Sequence, residues 1–152
     1  MNLLRSLALI ALLFLSTPVF AQEITIGSDG IVRCKDVPIG TTKTIGFDTY
    51  EVVDRELLIQ RRNEGADLAL SCVSNVRDMS FLFFDHQEFN SYIGNWDTSA
   101  VTNMERMFEG ASIFNQDISK WDVANATSMR YMFLSALDFN QYIGNWDVSN
   151  VT

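Results

Sequence analysis

Carboxylates supply most of the chemistry this sequence has to offer. Asp97, Asp122 and Asp147 recur at a 25-residue spacing, so any regular fold sets them in a column. Stacked carboxylates repel unless they are exposed, hydrogen-bonded or bridged by a cation such as calcium. No Asp-x-Asp-x-Asp-Gly loop accompanies them, so each reads first as an aspartate capping a turn. Neither a metal nor another cofactor is expected. Asp117 and Asp122 are the two residue types a glycosidase needs, yet nothing in the sequence sets them across a cleft. His86 is the single histidine and has no serine or cysteine nucleophile beside it in sequence. With two cysteines as the other soft ligands, a zinc site is short of its usual set. The chain reads as noncatalytic.

Charge narrows the partners. The chain carries 11 basic and 19 acidic residues, a net charge of −8. That balance argues against nucleic acid, whose phosphates require Lys and Arg, and against docking on anionic lipid.

Residues 1–21 read as a secretory signal peptide. Arg5 supplies the positive start, Leu7 to Leu15 are unbroken apolar residues, and Ser16, Thr17 and Pro18 break the run before Val19-Phe20-Ala21. The apolar stretch is short for a membrane span of about 20 residues. Cleavage before Gln22 is expected, with no membrane insertion afterwards, and no cysteine follows the run to carry a lipoprotein anchor. In an oxidising compartment, Cys34 and Cys72 are an even pair that favours one disulfide. Two buried free thiols are the alternative.

Periodicity is the strongest signal. Trp96, Trp121 and Trp146 are 25 residues apart, and the same step links Phe89, Phe114 and Phe139. It links Ile93, Ile118 and Ile143, then Met79, Met104 and Met129, and also Phe83, Phe108 and Phe133. Units 96–120 and 121–145 share 11 identities in 25 positions. Unit 71–95 fits more loosely, and 146–152 begins a fourth. Such residues are candidates for a continuous repeat core, and Asn90, Asn115 and Asn140 for satisfying backbone groups at a turn.

Within Val101–Ala111 the apolar residues fall at steps of three and four, the spacing of one helix face, and Gly110 suits its end. The half from Phe114 to Val123 reads as a turn and a short extended segment. The expected fold is therefore an α/β repeat solenoid of leucine-rich-repeat type, one short strand and one helix per unit. Residues 22–70 have no such echo. Strands are expected around Ser28-Asp29-Gly30 and over Thr49–Val53, with a helix from an Asp54 N-cap to about Asn63. This small α+β module would cap the first unit, and a Cys34–Cys72 bond would staple it there. The partial fourth unit points to a fragment of a longer array, or to an end that meets a partner.

The pattern Trp-Asp-Val-Ser-Asn-Val-Thr at Trp146–Thr152, Met-x-x-Met-Phe at Met104–Phe108 and Met129–Phe133, and Phe-Asn-Gln-x-Ile at Phe114–Ile118 and Phe139–Ile143 resembles the BspA-like leucine-rich-repeat surface proteins of bacteria. Related repeats occur in mycoplasma surface lipoproteins. The resemblance covers 71–152. It implies a secreted or cell-surface module used in adhesion, recognising an extracellular protein or glycan, but it transfers no binding residues. Positions that vary between units, such as Thr98, Ala100, Glu105, Arg106, Glu109 and Lys120, are the expected contact surface. End-to-end self-association of a structural fragment is the second expectation.

Overall fold

The computed structural model describes residues 22–152; the expected export segment, 1–21, lies outside them. Strands β1 (Thr25–Ile26) and β2 (Val32–Arg33) pair antiparallel across the Ser28-Asp29-Gly30 turn. Gly30 takes φ +80° there, and Asp29 Oδ1 accepts from the Ile31 N–H at 3.0 Å. A second sheet runs β3 (Thr42–Ile45), β4 (Asp48–Val52), β5 (Ser71–Cys72), the first pair antiparallel and the second parallel. The parallel step needs a crossover, and helix α1 (Arg55–Asn63) with a 3-10 turn at Leu68–Leu70 provides it.

Helix α1 starts where the sequence marks it. The Asp54 carboxylate accepts from the Leu57 N–H at 2.9 Å, Glu56 lies in the first turn, and Arg61 and Arg62 lie in the last. Each placement suits the helix dipole. Leu58 is fully buried and joins the apolar core that continues through the repeats. Cys34 and Cys72 form a disulfide, with Cα atoms 6.2 Å apart, inside a smaller core of Ile24, Val32, Val37, Tyr50 and Val52.

One ion pair ties helix to sheet. Glu51 on β4 accepts from Arg61 Nε at 2.7 Å and Nη2 at 2.9 Å. The guanidinium holds the Glu51 carboxyl below its ordinary range, against the opposing effect of burial. A carboxylate lowered on folding stabilises the fold above its unfolded pKa, about 4.3, and loses that contribution as pH falls through the folded value. Urea midpoints at pH 7 and near pH 3 should therefore differ less in Glu51→Gln than in the wild type.

The expectation of a strand-plus-helix solenoid is overturned. Among the described residues α1 is the one α-helix, and it lies before the repeats; the chain is otherwise two small sheets followed by turns. The helix expected over Val101–Ala111 is absent, for two reasons. Arg106 and Gly110 take left-handed φ values of 53° and 75°, which no helix tolerates. Also, alternate N–H groups leave the local chain altogether. Those of Met104, Arg106, Phe108 and Gly110 donate to the carbonyls of Ser128, Arg130, Met132 and Leu134 in the next unit. The N–H groups between them close turns, as in Met107 to Met104 and Glu109 to Arg106.

The same exchange joins unit 71–95 to unit 96–120. Met79, Phe81, Phe83 and Asp85 donate to Asn103, Glu105, Met107 and Glu109. The 25-residue units therefore lie one on the next, with Asp78, Asn103 and Ser128 bridged in parallel. Equivalent rings stack: Phe83 on Phe108 at 5.4 Å and Phe108 on Phe133 at 5.6 Å, Trp96 on Trp121 at 6.1 Å and Trp121 on Trp146 at 6.5 Å. Phe89, Phe114 and Phe139 make a third pile, at 5.7 and 5.8 Å.

Candidate binding surface

Met79, Phe83, Ile93, Trp96, Met104, Phe108, Phe114, Ile118 and Trp121 are buried, whereas Phe89 and the last layer, Met129, Phe133, Phe139, Ile143 and Trp146, are partly buried against them. These side chains therefore hold the units together and leave little to meet a ligand. The polar repeat positions also bond between units. Asn115 and Asn140 donate their backbone N–H to the side-chain oxygens of Asn90 and Asn115, each at 3.0 Å. Trp96, Trp121 and Trp146 donate their indole N–H to the carbonyls of Leu68, Ile93 and Ile118. The amides of Asn125 and Asn150, in the two Asn-x-Thr sequences, donate to Ser99 and Ala124 carbonyls at 2.7 Å.

The aspartate column caps turns. The carboxylates of Asp97, Asp122 and Asp147 accept from the N–H groups of Ser99, Ala124 and Ser149. Asp117 does the same for Ser119 at 2.9 Å. Among the described residues no group of three metal-ligating side chains converges. A groove of about 590 Å³ runs beside Asp97 and Asp122, lined by Asp29, Arg33, Lys35 and Lys120 together with Ile31 and Trp96. Several of its charges are engaged internally: Arg33 grips Asp29, and Lys120 donates to the Asp29 carbonyl at 2.8 Å.

His86 lies in unit 71–95, beyond helix α1. Its Nδ1 sits 2.9 Å from the Phe84 carbonyl, and its ring packs edge-on against Phe83.

The variable positions divide. Thr98 is buried and donates its hydroxyl to the Asp122 carbonyl at 2.9 Å, so it is a link between units. Ala100 and Lys120 each line a surface groove. Glu105, Arg106 and Glu109 come together on a column that single-residue reading only half reveals: Phe81, Arg106 and Tyr131, again 25 residues apart. All three hold left-handed φ values, 58°, 53° and 57°. For residues with a Cβ this conformation costs of order 1 kcal/mol or more, met here by the bonds each N–H group or its neighbours make along the pile. The conformation places large side chains at the surface: Phe81 is 46% and Tyr131 43% exposed.

Between them the Arg106 guanidinium lies 5.8 Å from the Phe81 ring and 5.0 Å from the Tyr131 ring, and Arg130 covers Tyr131 at 4.7 Å. Arg130 also donates to the Tyr131 hydroxyl at 3.2 Å, which lowers the phenol's pKa and raises its own. Arg106 pairs with Glu109 at 3.4 Å, where Glu109 Oε2 is buried without a hydrogen bond. The column therefore sets the partly exposed rings of Phe81 and Tyr131 beside the guanidinium groups of Arg106 and Arg130. Phe81 and Tyr131 were missed from sequence because they share no residue type; the signal was that one repeat position always carries a large side chain.

A profile for one protein family, described as "Mycoplasma protein of unknown function, DUF285", matches residues 56–152. No significant match emerged among curated proteins or among solved structures.

Proposed function

The chain belongs to that family, and we propose that it is an exported, noncatalytic adhesion module, secreted or displayed on a bacterial cell surface. It recognises an extracellular protein or glycan, with protein the better fit to the surface described. The Phe81–Arg106–Tyr131 column is the observation that carries this reading. The disulfide supports residence in an oxidising compartment, in keeping with the signal peptide read at 1–21. Kinship with the BspA-like surface proteins belongs to the same proposal. It rests on the Trp-Asp and Met-x-x-Met-Phe pattern and not on a helix-and-strand repeat.

Arrays of extracellular-matrix proteins and of glycans test it. The protein should bind at least one component, and Arg106→Ala or Tyr131→Ala should weaken that binding by roughly tenfold or more, as truncation of central Arg and Tyr contacts does. Circular dichroism should show both variants folded. Binding that both variants retain in full would remove the column from the function; absence of any binding would remove the function itself.

A further inference from the structure

One stretch of unit 71–95 departs from the repeat without changing its backbone. Asp85-His86-Gln87-Glu88 stands where the next two units have Gly110-Ala111-Ser112-Ile113 and Ser135-Ala136-Leu137-Asp138. Asp85, Gly110 and Ser135 all hold left-handed φ values, 55°, 75° and 61°. The Asp85 N–H donates to the Glu109 carbonyl as the Gly110 N–H does to that of Leu134. Glycine and small residues therefore suffice for this turn, and the stacking of units does not call for the polar side chains of the first.

Those side chains border a cavity of about 570 Å³ at the joint between unit 71–95 and the N-terminal module, a size ordinary for small-molecule sites. One wall is the end of α1 and the turn after it, Arg62, Gly65 and Ala66; the other is the stretch 85–91. Leu68 and Phe89 supply an apolar lining, the half-buried Phe89 ring resting 3.7 Å from that of Phe83. Arg62 is held in place, donating to the Leu82 carbonyl and to the Asn63 side-chain oxygen. The Asp85 carboxylate lies against Gly110, whose missing Cβ leaves it room. Asp85, Gln87 and Glu88 are exposed, and among the described residues their side chains have no hydrogen-bond or ion-pair partner.

We propose that this cavity binds a neutral pyranose sugar. An anion would meet the carboxylates of Asp85 and Glu88, and a cation would meet the Arg62 guanidinium, so a charged ligand of either sign faces a like charge. A neutral ring of hydroxyls uses both kinds of group. Its O–H groups donate to the carboxylates, its oxygens accept from the Gln87 amide and Arg62, and its C–H face covers the apolar lining. The cavity shares no residue with the Phe81–Arg106–Tyr131 column, so the inference goes beyond the function proposed from that column.

The probes are neutral sugars titrated into the protein, followed by NMR at the backbone amides of Ala66, Gln87, Glu88 and Ser91. Methyl β-galactoside and lactose represent glycan ends, and N-acetylglucosamine and its β-1,4 dimer represent polymer chains; whichever binds names the source. At least one should shift these amides saturably in the millimolar range. Gln87→Ala/Glu88→Ala should weaken that binding by roughly tenfold or more, because it removes a charge-assisted hydrogen bond with its neighbour. Ala66→Trp should abolish it by filling the cavity, with the remaining spectrum unchanged. Absence of saturable shifts with every neutral probe overturns the proposal. So does tighter binding of N-acetylneuraminic acid or glucosamine, or full binding retained by either variant. Arg106→Ala leaves the cavity intact, so loss of matrix binding and loss of sugar binding are separable results.

Discussion

Phe108→Ala should be among the most damaging single substitutions in the chain, lowering unfolding free energy by about 3–5 kcal/mol. Its ring is fully buried and has stacked neighbours on both sides along the pile, Phe83 at 5.4 Å and Phe133 at 5.6 Å. Across the unit it meets Phe114 at 4.0 Å and Trp121 at 6.1 Å. Removing it leaves a cavity walled by rings that are themselves fixed by repeat register, so little collapse can fill the space. Phe133→Ala should cost clearly less, because Phe133 is partly buried whereas Phe108 is fully buried. Urea unfolding of both variants checks the order; equal losses would mean that the units do not depend on their neighbours as described.

The second large effect belongs to the disulfide. The Cys34–Cys72 bond closes a loop with a sequence separation of 38 residues. Restricting the unfolded chain by such a loop stabilises the fold by about 3–4 kcal/mol on the chain-entropy account. Both cysteines are buried, so the double variant Cys34→Ala/Cys72→Ala should lose that amount with a small extra cost for the lost packing. The loss should appear as a lower urea midpoint, and dithiothreitol should lower the wild-type midpoint without moving that of the variant. A wild type indifferent to reductant would show that the bond contributes nothing.

Some of this architecture was legible in the residues. Helix α1 was, because Asp54, Glu56 and Gly65 mark its ends by local chemistry that tertiary packing did not override. The ring piles were visible as identities at 25-residue spacing, since a stack of equal layers places like on like. The repeat backbone was not legible. Steps of three and four at Met104, Met107, Phe108 and Ala111 suit a helix face, but they equally suit turns that close from residue i to i−3. The difference lies in the N–H groups that leave the unit for the next one, and no local pattern announces that. Gly110 hinted at a left-handed position; Phe81, Arg106 and Tyr131 concealed theirs, because such residues seldom adopt it. Arg55 and Arg62 read as ordinary helix residues, yet they donate to the carbonyls of Asp78, Ser80 and Leu82 in the first unit, a long-range contact that no local pattern marks.

The route of the disulfide also decides how the molecule bears tension. A pull along the chain crosses directly from Cys34 to Cys72, and the segment between them carries no load. Beyond that point each unit is held to the next by a layer of hydrogen bonds and stacked rings. Extension of the part beyond Cys72 should therefore proceed layer by layer, each surrendered unit of 25 residues adding roughly 80–90 Å of slack. The loop closed by the sulfur bridge would stay shut throughout, so the segment between Cys34 and Cys72 adds nothing to the reach of the stretched molecule.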